Sequence, residues 1–136
     1  MAFDTHVKFD GVEGESTSKD HKGEIEVLSW SWGLSSAVPP AGGGGGAGRA
    51  MPEQFTFTHL YDKTSPVLAK LVATGRHVKQ AWLSARKSGE GQKDFLKITM
   101  KEVFITSTYQ SGSEEGITAV VTAAAPLPTL SADQPL

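Results

Sequence analysis

Phe3, Thr5, Val7 and Phe9 alternate with Asp4, His6, Lys8 and Asp10, and this period of two predicts a half-buried first strand that stops at Gly11. Val12 to Gly23 is polar and turn-rich. The stretch from Glu24 to Leu34 then carries two of the three tryptophans in alternation with small residues. Trp30 and Trp32 fall on one face of a strand, and Ser29, Ser31 and Gly33 on the other, so a heavy apolar face backs onto a flat one. Burying each indole would remove ~150–250 Å² from water, worth up to ~4–6 kcal/mol. The phase shifts within the stretch, because Ile25 and Val27 are odd while Leu28, Trp30, Trp32 and Leu34 are even. Either the Ile25 end is buried on both faces, or a bulge near Val27 and Leu28 exchanges the faces and bends the strand, as a closed sheet requires.

The period of two resumes at Gln54–Tyr61, with Phe55, Phe57, His59 and Tyr61 on one side. Ser65 to Gly75 reads as the one helix: Ser65 can cap it, Pro66 suits its first position and Gly75 its left-handed end. Its stripe of Val67, Leu68, Leu71 and Val72 must pack on a sheet, since so short a helix does not persist alone. His77 to Arg86 is a strand with Ala81, Leu83 and Ala85 on one face. Phe95 to Tyr109 is another, with a second phase switch near Lys101 and Glu102, followed by a polar turn over Gln110 to Gly116. Ile117 to Thr122 is the last strand. The prolines after it, at 126, 128 and 135, cannot continue a central one. The predicted core is Trp30, Trp32, Phe55, Phe57, Leu68, Leu71, Leu83 and Ile98.

Between the Trp strand and Gln54 the pattern disappears. Residues 37–52 hold Pro39, Pro40, an unbroken run of Gly42, Gly43, Gly44, Gly45 and Gly46, and then Arg49. With neither core residues nor propensity, this is a long extended loop, and its length points to contact with a neighbouring molecule. It is not a phosphate cradle, because no Gly-Lys-Ser/Thr and no amphipathic helix follow. The resulting fold class is mainly β: a small β-barrel of two packed antiparallel sheets, one short α-helix outside and a long Gly-rich loop. The domain spans residues 1–122, and residues 123–136 form an Ala/Pro-rich tail.

Composition narrows the function. At 136 residues the chain supports one core. A net charge of −2 with scattered Lys and Arg provides no footprint for nucleic acid, and no long apolar run supports membrane insertion. No cysteine is present, which removes thiolate chemistry and Cys-ligated metals. The alternating N-terminus reads as a strand rather than a cleaved Sec-type leader. Any Ser, His and Asp can be drawn as a triad, but no nucleophile elbow places one here. Glu24 and Glu26 read as a solvated edge rather than an acid–base pair. Asp20, His21 and His6 lack metal-ligand spacing, and His59 reads as a hydrogen-bonded core histidine. No enzyme, cofactor or metal site is expected.

The residues themselves carry a family likeness. Gly14-Glu15-Ser16-Thr17-Ser18-Lys19-Asp20-His21, Glu24 to Gly33, the glycine arm, Phe55-Thr56-Phe57-Thr58, Tyr61-Asp62-Lys63, Ser65-Pro66, Thr74-Gly75, Arg86-Lys87-Ser88-Gly89 and Lys101-Glu102-Val103 together resemble the Hcp (haemolysin-coregulated protein) family. The resemblance extends from about Phe3 to Val121. It implies hexameric rings that stack into the inner tube of the bacterial type VI secretion system, inside a contractile sheath and under a spike protein, with secreted effectors in the lumen. It further implies a protein made in the bacterial cytoplasm and exported through that apparatus, with residues 37–52 as the loop that touches an adjacent ring. Ser29, Ser31 and Gly33 then become candidates for effector contact in the lumen. The departure is at the C-terminus, where the family's further polar-aromatic strand is replaced by Thr122-Ala123-Ala124-Ala125-Pro126-Leu127-Pro128, so an exposed sheet edge is expected. The alternative function is a monomeric β-barrel that binds a small ligand inside.

Overall fold

A computed structural model describes residues 3–18, 20–36, 50–87, 94–126 and 128–132. The expected loop residues from Pro39 to Gly46 with Arg49 lie outside them, as do residues 88–92, where Ser88-Gly89-Glu90-Gly91-Gln92 predicts the turn between the strands at 77–86 and 95–109. The strands are β1 (Phe3–Phe9), β2 (Ile25–Glu26), β3 (Ser29–Ser31), β4 (Leu34–Ser36), β5 (Ala50–Pro52) and β6 (Phe55–Leu60). After the helix α1 (Thr64–Thr74) come β7 (His77–Lys87), β8 (Asp94–Ser113), β9 (Gly116–Ala124) and β10 (Thr129–Ala132). Every pairing is antiparallel. One eight-stranded sheet runs β2-β1-β7-β8-β9-β6-β3 with β10 beside β8, and β4 and β5 form a separate ribbon.

The fold is mainly β, and two corner segments shape it. β8 pairs with β7 through its first half and with β9 through its second. At the changeover Glu102 adopts φ 55°, a left-handed conformation that a non-glycine residue holds only under constraint. Ile98 and Met100 are buried before it, Val103 and Ile105 after it, so the expected phase switch lies there. Thr106 is then the extra residue of a bulge against Ala123 and Thr122. The Trp stretch makes the opposite corner. β2 pairs with β1 and β3 with β6, while between them Val27 N–H donates to Thr5 O (2.9 Å) and Leu28 N–H to Thr58 O (2.7 Å). The two ends of the eight-stranded path are therefore consecutive pieces of one segment. Of the two alternatives for this stretch, the face exchange at Val27 and Leu28 is the one present, and it leaves Leu28 outside, 59% exposed.

The inner rows follow from the register. Ile25, Val7, Leu83 and Ile98 form one row across β2, β1, β7 and β8, and Phe55, Ala123 and Ile105 another across β6, β9 and β8. All are buried, and Phe9 meets Phe57 between the two halves at 5.9 Å. Of the predicted core, Phe55, Phe57, Leu68, Leu83 and Ile98 are fully enclosed. Trp30, Trp32 and Leu71 are only half-buried against that cluster, so each indole contributes well below its full transfer value.

Three local expectations are corrected. The helix starts at Thr64 with Lys63 at its N-cap and no side-chain cap, so Ser65 does not cap it; Asp62, just before the cap, accepts at Oδ1 from Thr64 N–H at 2.9 Å and from the Thr64 hydroxyl. Gly75 ends it as predicted, at φ 67°. The turn expected over Gln110 to Gly116 shrinks to Glu114 and Glu115, because β8 continues to Ser113 and β9 starts at Gly116. The tail is not outside the sheet. β10 lies on β8 with Thr129 opposite Thr99 and Ala132 opposite Leu96, which covers the edge expected to be bare. Pro126 and Pro128 occupy the bend before it, where no ladder hydrogen bond is required.

Candidate functional site

Outward residues of the β3-β6-β9-β8 half align in uncharged rows in which small hydroxyls predominate, with Val120, Tyr109 and Leu60 among them. Ser31, Thr56, Thr122 and Ser107 make one row; Ser29, Thr58, Val120 and Tyr109 the next; Leu60, Thr118 and Ser111 a third. The hydroxyls touch one another weakly, Thr56 Oγ1 to Thr122 Oγ1 at 3.4 Å and Ser111 Oγ to Thr118 Oγ1 at 3.3 Å. Thr106 Oγ1 donates to Thr122 O at 3.1 Å and so fixes the bulge. Each hydroxyl can donate or accept, so the face offers many interchangeable and individually weak contacts and no charge in its rows.

Ser29 and Ser31 belong to this face as predicted. Gly33 does not. Its carbonyl accepts from Glu53 N–H (2.9 Å), and an added Cβ would come within 3.0 Å of the Glu53 carboxylate. Gly33 thus links the face to the β4–β5 ribbon, in which Leu34 opposes Pro52 and Ser36 opposes Ala50. Leu34 and Met51 are about half-exposed on that ribbon. Sequence reading found only two residues of the face. The others were signalled by the polar phase of β6, Thr56 and Thr58, and by Thr118 and Thr122 of β9, whose alignment needs the strand order.

The outer face of β1 and β7 is built differently. The row Glu26, His6, Ser84 and Lys97 crosses β2, β1, β7 and β8 there, and residues 12–18 and 20–24 fold over it. The covering loop is closed by Gly14 N–H to Gly23 O (2.6 Å) and Ser16 N–H to Glu24 O (2.9 Å). A side chain at Gly14 would overlap the Glu24 carbonyl, so glycine is required there. Buried Arg86 holds the loop from below, Nη1 to Asp20 Oδ2 at 2.9 Å and Nη2 to Ser18 Oγ at 3.0 Å. The His21 ring stacks on His6 at 4.7 Å and 10°, and its Nδ1 lies 3.0 Å from Glu24 Oε1.

The sequence thus held two histidines that the fold brings together, but Asp20 is engaged by Arg86. Among the described residues no group of three His, Cys, Asp or Glu could hold a metal ion. Both ring nitrogens of His6 are buried without a hydrogen-bond partner. Burial pushes its pKa down, His21 and Arg86 push the same way, and Glu24 and Glu26 oppose them. His59 corrects the expected hydrogen-bonded core histidine. It is fully buried with neither nitrogen bonded, and Asp62 Oδ2 stands 3.8 Å away. Desolvation lowers its pKa and outweighs the pull of Asp62.

Fold and site together define a small antiparallel β protein with a packed aromatic interior, one roofed face and one open hydroxyl face. Residues 6–130 match the family described as type VI secretion system effector, Hcp, and the chain belongs to that family. It is 45% identical over 126 residues to protein hcp1 of Pseudomonas aeruginosa, a match covering 90% of this chain and 78% of that one. The crystal structure of Hcp1 from Salmonella typhimurium superimposes with a TM-score of 0.82 at 31% identity, over 98% of this chain and 88% of that one. A type VI secretion system effector from Yersinia pestis superimposes at 0.77 with 28% identity, over 95% and 88%.

Proposed function

We propose that this chain is a structural subunit of the type VI secretion inner tube, in which six copies close into a ring, rings stack, and effectors travel in the lumen. Family membership supports this reading, and the uncharged rows of Ser and Thr across β3, β6, β9 and β8 carry it furthest. A passage must hold its cargo without trapping it. Small hydroxyls suit that task, because each contact is worth only ~0.5–1.5 kcal/mol and loses little side-chain freedom. In this reading Ser29 and Ser31 touch the effector. Residues 37–52, rooted on the β4–β5 ribbon, reach the adjacent ring through Pro39, Pro40, the Gly42 to Gly46 run and Arg49. The sheath surrounds the tube, the spike caps it, and the protein leaves the bacterial cytoplasm with its cargo. It performs no catalysis.

A ligand-binding barrel would need interior room or interior polar groups, whereas Phe9, Phe55, Phe57, Leu83 and Ile98 fill the space between the sheet halves. Size-exclusion chromatography with light scattering tests the reading: a mass six times that of the chain is expected, and a monomer at high concentration overturns it.

A further inference from the structure

Where β1 and β6 part at the Trp-strand corner, a cavity of about 370 Å³ opens beside the N-terminal end of α1. Phe3, Leu28, Leu60 and Tyr61 line it and are 46–59% exposed, a cluster of large apolar side chains at one spot. Asp4, Glu15, Glu26 and Asp62 line it too, and no Lys or Arg is among its described lining residues. Glu15 and Asp62 each give an oxygen to a backbone N–H, of Lys63 and Thr64, but Glu26 makes no hydrogen bond or ion pair among the described residues. His6 completes the wall, 2% exposed with both nitrogens unpartnered. An exposed carboxylate set in an apolar rim calls for a cationic donor carrying an apolar stem.

The other end of α1 has the complementary character. Arg76, directly after the Gly75 terminus, is exposed and makes no hydrogen bond or ion pair among the described residues. Lys70, Lys79 and Lys101 are exposed as well, and Phe104 is 45% exposed beside His77. The two surfaces lie at opposite ends of one helix, so they cannot meet within one copy.

We propose that the cavity receives Arg76 from the α1 end of a second copy of this chain, which joins copies head to tail. The guanidinium pairs with Glu26, and its stem lies on Leu28, Leu60 and Tyr61. A contact between two different patches repeats head to tail and closes into a ring when the rotation between copies divides a full turn, whereas a self-complementary patch would stop at a dimer. This inference rests on the ring reading above and names the surfaces that make the ring.

Light scattering on the full chain and two charge variants tests it. Arg76→Glu and Glu26→Arg are each expected to raise at least tenfold the concentration at which the assembly dissociates, with circular dichroism and melting temperature unchanged. An equimolar mixture is expected to recover the wild-type mass, because alternating copies give every junction one pair of opposite charges. Wild-type rings with unaffected variants, or a mixture that stays dissociated, would overturn the docking and leave the ring standing. A monomeric wild type would overturn both. Should either variant lose its melting transition, Tyr61→Glu replaces it, expected to dissociate the ring without recovery on mixing with Arg76→Glu; an intact ring with Tyr61→Glu counts against the docking.

Discussion

The two outer faces of the sheet begin from similar alternation and end in opposite states. On β1 and β7 the outward residues include His6, Ser84 and Arg86, and residues 12–18 and 20–24 are folded over them; on β6 and β9 they include Thr56, Thr58, Thr118 and Thr122, and nothing among the described residues covers them. Charge decides the difference. A guanidinium projecting from β7 recruits Asp20 and Ser18 and so secures its own cover, while a hydroxyl row has no comparable anchor and stays available to another molecule. The roofed face is part of the fold's stability. The open face can change with little cost to the fold.

Removing the anchor should break that contrast with the largest effect. Arg86→Ala takes away a buried cation with hydrogen bonds to two residues of the loop and is expected to cost ~2–3 kcal/mol, discounted from a fully buried pair because Asp20 is half-exposed. Urea unfolding would measure it, and a loss under 0.5 kcal/mol would mean that the loop holds itself.

The buried histidines, His6 under the roof and His59 inside the sheet, sharpen the comparison through pH. Burial, then His21 and Arg86, lower the pKa of His6 against the pull of Glu24 and Glu26, and burial lowers that of His59. Below their unfolded value of ~6.5 the unfolded chain binds protons that the native chain refuses. Stability is therefore full above that value and is lost as pH falls from it towards the lowered native values. His6→Gln is expected to make the decline shallower in denaturant midpoints measured from pH 8 to pH 5, and an unchanged slope would clear His6 of the effect.

Much of this was legible in the chain because period and chemistry agreed. Both corners were visible as phase switches, at Val27–Leu28 and at Lys101–Glu102, since a side chain cannot change faces without the backbone turning. Gly75 announced the helix end for the same local reason. What stayed hidden depended on partners far along the chain. Nothing near His6 says that His21 will stack on it, nothing near Thr56 says that Thr122 lies alongside, and nothing near Glu26 says that a cavity opens beside that solvated edge. Trp30 and Trp32 misled by their size: Trp30 lies on β3, at one end of the ladder, and Trp32 follows directly after it, and an end strand only half-covers its inward face. The tail misled by its prolines, which forbid a central strand and permit the edge position that β10 takes.

The smallest expected effect on stability falls on the open face, and that smallness is the point. Ser31 is exposed on β3 opposite Thr56 and makes no side-chain hydrogen bond among the described residues. Ser31→Gln adds length and a flexible amide to the hydroxyl row without touching the core, so the unfolding free energy should stay within ~0.5 kcal/mol of wild type. Ring mass should not change either, since the cavity at Glu26 and the Arg76 end lie elsewhere. Effector recovered with the protein in a pull-down is expected to fall, because a longer side chain displaces whatever rests on the flat row and pays rotamer entropy when pinned. Equal recovery would remove Ser31 from the cargo contact. A fall in recovery accompanied by lost stability would instead place Ser31 with the roofed face, where side chains hold the protein together, and would erase the distinction between the two faces.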